Sequence, residues 1–116
     1  MLLRPGEVDP DRSDNFGQTS LSSAARHGSE GAVGILLDRE DVNANKPDKC
    51  GRTPLSYAAH GGHEALVKTL LRREEVSPNK PDHEGRTPLS HVTENGNERA
   101  VEILLSQDEV RLDKNS

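Results

Sequence analysis

The sequence predicts an all-α fold in which antiparallel helix pairs, joined by hairpin-like loops, stack into a solenoid. Glycine, threonine and leucine positions recur at a spacing of 34 residues, and each period holds two apolar stripes with helical spacing. Apolar residues make up only 30% of the chain, and a stack of thin layers needs fewer of them than one large core. The same composition is compatible with disorder, but the periodicity argues against it.

The repeat divides a single domain, residues 1–116, into three units. Residues 42–75 and 76–109 are identical at 17 of 34 positions, which chance does not produce. The predicted units are 14–47, 48–81 and 82–112, with 1–13 as the remnant of a preceding unit and 113–116 as a tail.

The first half of the middle unit predicts a turn followed by a short helix. Asp48 and Gly51 mark the turn, because Asp suits an Asx-type turn and Gly permits a positive φ. Thr53 occupies the expected N-cap, and Pro54 is the first helical residue. The apolar stripe and the glycines that end this helix are Leu55, Ala58, Ala59, Gly61 and Gly62.

The second half of the unit predicts another helix, from about residue 64 to residue 73. Its apolar side chains share one face. They are Leu66, Val67, Leu70 and Leu71. Two antiparallel helices with one apolar face each cannot bury those faces alone, so each pair needs a neighbouring pair.

These motifs resemble the ankyrin repeat over about residues 2 to 116. The segments that carry the resemblance are Gly51-Arg52-Thr53-Pro54-Leu55-Ser56-x-Ala58-Ala59, Gly62-His63-Glu64 and Val67-x-x-Leu70-Leu71. The form with Ser after Thr-Pro-Leu, and with Arg-Glu-Asp-Val after the Leu pair, is similar to arrays found in large fungal proteins. The resemblance implies an ankyrin-repeat solenoid that binds another protein or peptide and catalyses no reaction.

The chain departs from the common repeat of about 33 residues in two places. After Leu71 the usual glycine is replaced by a charged segment, residues 72–75, which we expect to be a solvated helix end. The following loop is longer and contains Pro78 and Pro81, which predicts little regular strand.

The units are unequal, and the register continues to both ends of the sequence. Gly31 and Gly34 lie in the second helix of the first unit, each costing about 1 kcal/mol relative to Ala. Residues 110–112 are expected to enter a loop toward a fourth unit. The sequence is therefore interpreted as a monomer or as a segment of a longer array.

Charge and cysteine content exclude several classes of function. The net charge of −5, without a run of Lys or Arg, argues against nucleic acid. Cys50 is the only cysteine, which fits a reducing compartment and predicts a cytoplasmic or nuclear protein. No apolar run reaches the roughly 18 residues of a membrane span, so no membrane association is expected.

No catalytic or metal site is predicted, and no cofactor is expected. Ser22, Ser56 and Ser90 recur in equivalent positions, which indicates a structural role and not a nucleophile. His60 and His63 have the spacing of metal ligands, but the sequence offers no convincing set of further ligands.

The resemblance places partner binding on the hairpin tips and on the exposed face of each first helix. The predicted tip residues are Asn15, Phe16, Gln18, Lys49, Cys50, Arg52, His83, Glu84 and Arg86. The predicted first-helix residues are Arg26, His27, His60, Glu94 and Asn95. This surface forms a partly basic ledge that would suit an acidic or phosphorylated peptide.

Three alternatives stay open from the sequence. Phe16 either anchors a partner or packs between neighbouring tips, and Tyr57 either packs between units or faces the groove. The chain as a whole could instead be a structural spacer, or the sensor segment of a longer array in a regulatory protein.

Overall fold

The computed structural model describes the backbone of residues 12–115 and the side chains of residues 12–106. Within this part, six helices form three antiparallel pairs, and no strand is present. The helices are α1 (Ser20–His27), α2 (Glu30–Leu37), α3 (Pro54–His60), α4 (Glu64–Leu71), α5 (Pro88–Glu94) and α6 (Glu98–Asn115). The first helices α1, α3 and α5 form one layer, and the second helices α2, α4 and α6 form the other. The all-α solenoid predicted from the periodicity is therefore confirmed.

Each first helix starts at a threonine cap, as the sequence predicts. In α3 the Thr53 side chain accepts the Ser56 backbone N–H at 3.3 Å, and Ser56 Oγ accepts the Thr53 N–H at 3.3 Å. These reciprocal bonds satisfy backbone donors that a helix N-terminus leaves unpaired. The same box forms at Thr87 and Ser90. Ser56 and Ser90 therefore have the structural role that the sequence predicts, and at Ser22, of the two bonds of the box, only the one from its backbone N–H to the Thr19 side chain is formed.

Each hairpin is closed by an aspartate at the start of its unit. Asp48 Oδ1 accepts the backbone N–H groups of Cys50 at 2.8 Å and Arg52 at 3.0 Å. Asp14 and Asp82 make the equivalent turns. A backbone hydrogen bond links each tip to the next, from Lys49 N to Phe16 O and from His83 N to Cys50 O.

The core is a continuous seam of small aliphatic side chains between the two layers. Its fully buried large residues are Leu21, Val33, Leu55, Leu66, Val67, Leu70, Val76 and Val92. Since each unit supplies the same few positions, the seam extends through the stack and orients the three hairpins toward one side.

In the segment after α4, Arg72, Glu74 and Glu75 are exposed, as expected for a solvated helix end, but the prediction is wrong for Arg73. The Arg73 guanidinium crosses to the preceding unit and donates to the carbonyl oxygens of Leu37 at 3.0 Å and Val42 at 3.0 Å. It also donates to Arg39 O at 3.3 Å and is held by Glu75 at 2.7 Å. These carbonyls follow the end of α2, which has no αL glycine there, so Arg73 supplies the missing donors from the next unit.

The expected loop at residues 110–112 is also wrong, because α6 runs on to Asn115. The loops that follow α2 and α4 contain Pro47, Pro78 and Pro81, whereas residues 106–115 contain neither proline nor glycine. Because this segment has no helix-breaking residue, the helical backbone hydrogen bonds continue through it. Residues 1–11, most of the predicted remnant of a preceding unit, lie outside the described part.

The glycines of α2 predict a gain in stability on substitution. A Cβ at Gly31 or Gly34 would meet no described atom within 4 Å. We expect Gly31→Ala and Gly34→Ala each to raise the free energy of unfolding by about 1 kcal/mol, measured by urea denaturation. Gly28→Ala is the matched control and should destabilise, because Gly28 has φ +74° and its Cβ would lie 2.7 Å from the His63 ring. Equal effects at all three positions would contradict the prediction.

Candidate functional site

A groove of about 570 Å³ lies on the hairpin side of the stack, between the first two tips and helices α1 and α3. It is lined by Phe16, Gln18, Arg26, Asp48, Lys49, Cys50, Arg52, Tyr57, His60 and Gly61. Seven of the fourteen residues predicted to bind a partner are in this set. The structure therefore brings half of the predicted surface together in one depression.

The floor of the groove is a hydrogen-bonded chain that joins the first two units. Gln18 Nε2 donates to the Tyr57 hydroxyl at 3.1 Å, and that hydroxyl donates to Asp48 Oδ2. Only 8% of Tyr57 is exposed, so it packs between units and offers the groove little surface. Burial, together with the adjacent Asp48 carboxylate, raises the pKa of the Tyr57 hydroxyl.

Phe16 stands on the rim of the groove. It is 72% exposed, whereas the alternative from the sequence had it packed between neighbouring tips. Its backbone N–H is held by Asp14 Oδ1 at 2.9 Å, and its carbonyl accepts the Lys49 N–H. A fixed backbone therefore presents an apolar ring to solvent beside the groove.

The remaining predicted residues lie outside this groove. His83 and Glu84 line a second depression of about 160 Å³ at the next tip, and Arg86 pairs with Glu84 at 3.6 Å. Asn15 lies at the edge of the first unit, and His27 Nδ1 lies 2.8 Å from Ser23 O.

The two predicted residues at the end of α5 differ from each other. Glu94 is exposed to solvent. Asn95 Nδ2 donates to the carbonyl of His60 at 2.7 Å. This hydrogen bond caps α3 from the following unit, so Asn95 already has an inter-unit role.

A second polar cluster lies at the junction of the second and third units, in the same register as the groove floor. Arg52, Asp82 and His91 stand 34 residues after Gln18, Asp48 and Tyr57. His91 is 2% exposed, and its ring makes an edge contact with His60 at a centroid distance of 5.2 Å.

The cluster is less well satisfied than the groove floor. Arg52 Nε lies 3.8 Å from Asp82 Oδ2, a long ion pair. Among the described residues, neither ring nitrogen of His91 has a hydrogen-bond partner. The 34-residue spacing shows that Arg52, Asp82 and His91 occupy the positions of Gln18, Asp48 and Tyr57. It does not show that His91, unlike Tyr57, would form no hydrogen bond to the aspartate.

The pKa of His91 is lowered in the folded state. Burial is the main cause, followed by the neighbouring His60; Arg52 also lowers it, whereas Asp82 and Glu94 oppose the shift. The backbone N–H groups of Arg86 and Glu84 hold the pKa of Asp82 below its usual range although burial opposes ionisation.

This shift predicts that stability falls in mild acid. The unfolded chain takes up a proton at His91 near pH 6.5, whereas the folded chain does so only at lower pH. The free energy of unfolding should therefore decrease as pH falls below about 6.5, which urea melts between pH 7.5 and 5 would measure. His91→Tyr introduces the residue that the middle unit has at this position. It should remove the pH-dependent loss of stability and raise the free energy of unfolding at pH 7 by about 1 kcal/mol through a hydrogen bond to Asp82.

The control for this prediction is His27→Gln, which removes an exposed histidine from α1. We expect this variant to keep the wild-type pH dependence. If His27→Gln flattened the pH profile and His91→Tyr did not, the assignment to His91 would be wrong.

Comparison with known families identifies the fold. The ankyrin-repeat family, described as three copies of the repeat, matches residues 1–82 and 40–116. The chain therefore belongs to the ankyrin-repeat family. Ankyrin repeats are generally protein–protein interaction modules and are typically non-catalytic. A search of curated proteins found no match.

The described residues contain no helix that is both long and apolar enough to cross a membrane. No group of three His, Cys, Asp or Glu side chains in this part of the chain is arranged to hold a metal ion.

Proposed function

We propose that the protein binds a partner protein, without catalysis, through the groove between its first two hairpin tips. The observation that carries this proposal is the exposed Phe16 ring beside a depression lined by Arg26, Lys49 and Arg52. An exposed aromatic next to arginines is the composition that concentrates binding energy in protein interfaces. The proposal includes the cytoplasmic or nuclear compartment suggested by the single cysteine.

The groove is suited to binding because its floor is rigid and its rim is accessible. The Gln18–Tyr57–Asp48 chain fixes the floor, and the threonine caps at Thr19 and Thr53 hold the N-termini of the two helices beneath it. Side chains on a preorganised surface lose less entropy when a partner binds. Phe16, Arg26 and Lys49 lie outside the core, so they can be changed without unfolding the stack.

The test is affinity capture from native extract with matched variants. The groove variant combines Phe16→Ala, Arg26→Ala and Lys49→Ala. The control combines Ile35→Ala, Lys68→Ala and Arg72→Ala, which removes one exposed apolar residue from α2 and two exposed cations from α4 and its C-cap. We expect a partner to be retained by the wild type and the control, and lost by the groove variant. Capture of the same partners by all three proteins would exclude the groove.

A further inference from the structure

Permanent positive charges outnumber carboxylates in the groove of this acidic protein. Arg26, Lys49 and Arg52 line it, and Asp48 is the one carboxylate among the lining residues. The Asp48 carboxylate is largely occupied, because Oδ1 accepts two backbone N–H groups and Oδ2 accepts the Tyr57 hydroxyl. The charge that the groove offers to a partner is therefore positive, although the whole chain carries −5.

These cations are poorly neutralised by the protein itself. Arg26 and Lys49 form no ion pair with any side chain of residues 12–106. Arg52 has the long contact with Asp82, and its Nε has no hydrogen-bond partner in the described part of the chain. A carboxylate placed in the groove would supply the ion-pair partner that Arg26 and Lys49 lack.

The charge of the hairpin side changes along the stack. On the third unit, Glu84 and Glu94 are exposed, and Glu84 lies 3.6 Å from the Arg86 guanidinium. An acidic ligand is therefore favoured over the first two units and disfavoured over the third. This difference between the units indicates that the acidic part of a ligand would lie over the first two units and end before the third.

We propose that the groove binds an acidic peptide segment of the partner, with its carboxylates beside Arg26, Lys49 and Arg52 and an apolar side chain against Phe16. This inference rests on the proposed function. A short peptide fits better than a nucleic acid because charges are screened beyond about 10 Å at 0.1 M salt. A short segment interacts mainly with the local cations, whereas a long polyanion also meets the acidic remainder of the protein.

The experiment uses defined peptides and the full chain. The probe is a fluorescein-labelled octapeptide with four glutamates around two leucines, and its comparison peptides replace every glutamate by glutamine or by lysine. Fluorescence anisotropy is measured at about 50 and 300 mM NaCl. We expect the glutamate peptide to bind about tenfold more tightly than the glutamine peptide at low salt, with a smaller difference at high salt.

Matched charge variants locate the effect. Arg26→Gln with Lys49→Gln should weaken binding of the glutamate peptide about tenfold. Lys68→Gln with Arg72→Gln removes the same number of charges from α4 and its C-terminal end, and should change binding less than twofold. Amide NMR shifts caused by the peptide should be largest at the first two hairpin tips.

Other results overturn the inference in distinguishable ways. Equal affinity for the glutamate, glutamine and lysine peptides, with NMR shifts still in the groove, would reject acidic recognition and leave the proposed function standing. Shifts confined to α2 and α4 would reject both. Tighter binding of a 20-nucleotide single-stranded DNA than of the glutamate peptide, lost in the groove variant, would identify nucleic acid instead.

Discussion

Replacing Arg73 by alanine is expected to lower the free energy of unfolding by about 2–3 kcal/mol. The Arg73 side chain is only 22% exposed, and its guanidinium donates to carbonyls of the preceding unit, which lose these donors when it is removed. Hydrogen bonds to charged groups contribute more than neutral ones. At the second-helix end of the stack they add to the apolar seam, whereas the Lys49–Phe16 and Gln18–Tyr57 bonds join the same two units at the tips. In a stack near the minimum of three repeats, this loss should also separate the unfolding of the first unit from that of the others.

Arg39→Ala is the matched control for Arg73→Ala. Arg39 occupies the same register in the first unit and forms the same type of local ion pair, with Asp41 at 2.9 Å. Exposed pairs of this kind contribute little to stability. We expect its urea midpoint to equal that of the wild type, whereas Arg73→Ala should show a lower midpoint and a broader transition. A similar midpoint for both variants would show that the inter-unit bonds add no stability.

Replacing Asp48 by alanine is expected to lower the free energy of unfolding by about 3 kcal/mol. The change removes the acceptor of the Cys50 and Arg52 N–H groups and of the buried Tyr57 hydroxyl. A buried donor without a partner carries the full cost of its desolvation, which exceeds the net value of an average hydrogen bond. Circular dichroism during urea titration would measure the loss.

Two further variants, Asp14→Ala and Tyr57→Phe, show how much of this loss of stability comes from the turn and how much from the tyrosine hydroxyl. Asp14 makes the same turn, accepting the Phe16 and Gln18 N–H groups at 2.9 Å, but its unit has no tyrosine in the register of Tyr57. Asp14→Ala should therefore cost about 1 kcal/mol, and Tyr57→Phe about 2 kcal/mol. If Asp14→Ala lowered the free energy of unfolding as much as Asp48→Ala, the bond between Asp48 and the Tyr57 hydroxyl would contribute nothing to stability.

Local rules account for the part of the fold that the sequence predicts correctly. A threonine cap, a proline in the first turn and an apolar stripe act within a few residues, so Thr53, Pro54 and Leu55 define α3 without knowledge of its neighbours. The second helix was predicted to within two residues of its observed end at Leu71. The aspartate turns are equally local, because Asp48 accepts hydrogen bonds from residues two and four positions later.

Contacts between units account for what the sequence does not predict. Arg73 stands in a run of charges that resembles any solvated helix end, and only the stacking angle brings it to carbonyls 31 to 36 residues earlier. Asn95 is similar, because its hydrogen bond crosses to the end of α3. For the groove, the repeat register predicted which residues lie at the tips. It did not predict that both Asp48 oxygens would accept hydrogen bonds within the protein, while Arg26 and Lys49 form no ion pair with a described side chain.

The bonds between neighbouring tips, and those of Arg73, use backbone carbonyl oxygens as acceptors. Lys49 N–H bonds to the carbonyl of Phe16, and the Arg73 guanidinium bonds to the carbonyls of Leu37 and Val42. Every amino acid supplies such a carbonyl, so these contacts impose little requirement on the side chains of the adjoining unit. A duplicated segment of 34 residues would keep its internal turns and caps and find the same acceptors next to it, and so would the units that remain after one is deleted. Gene duplication can therefore change the number of units while selection on partner recognition acts separately on the exposed side chains.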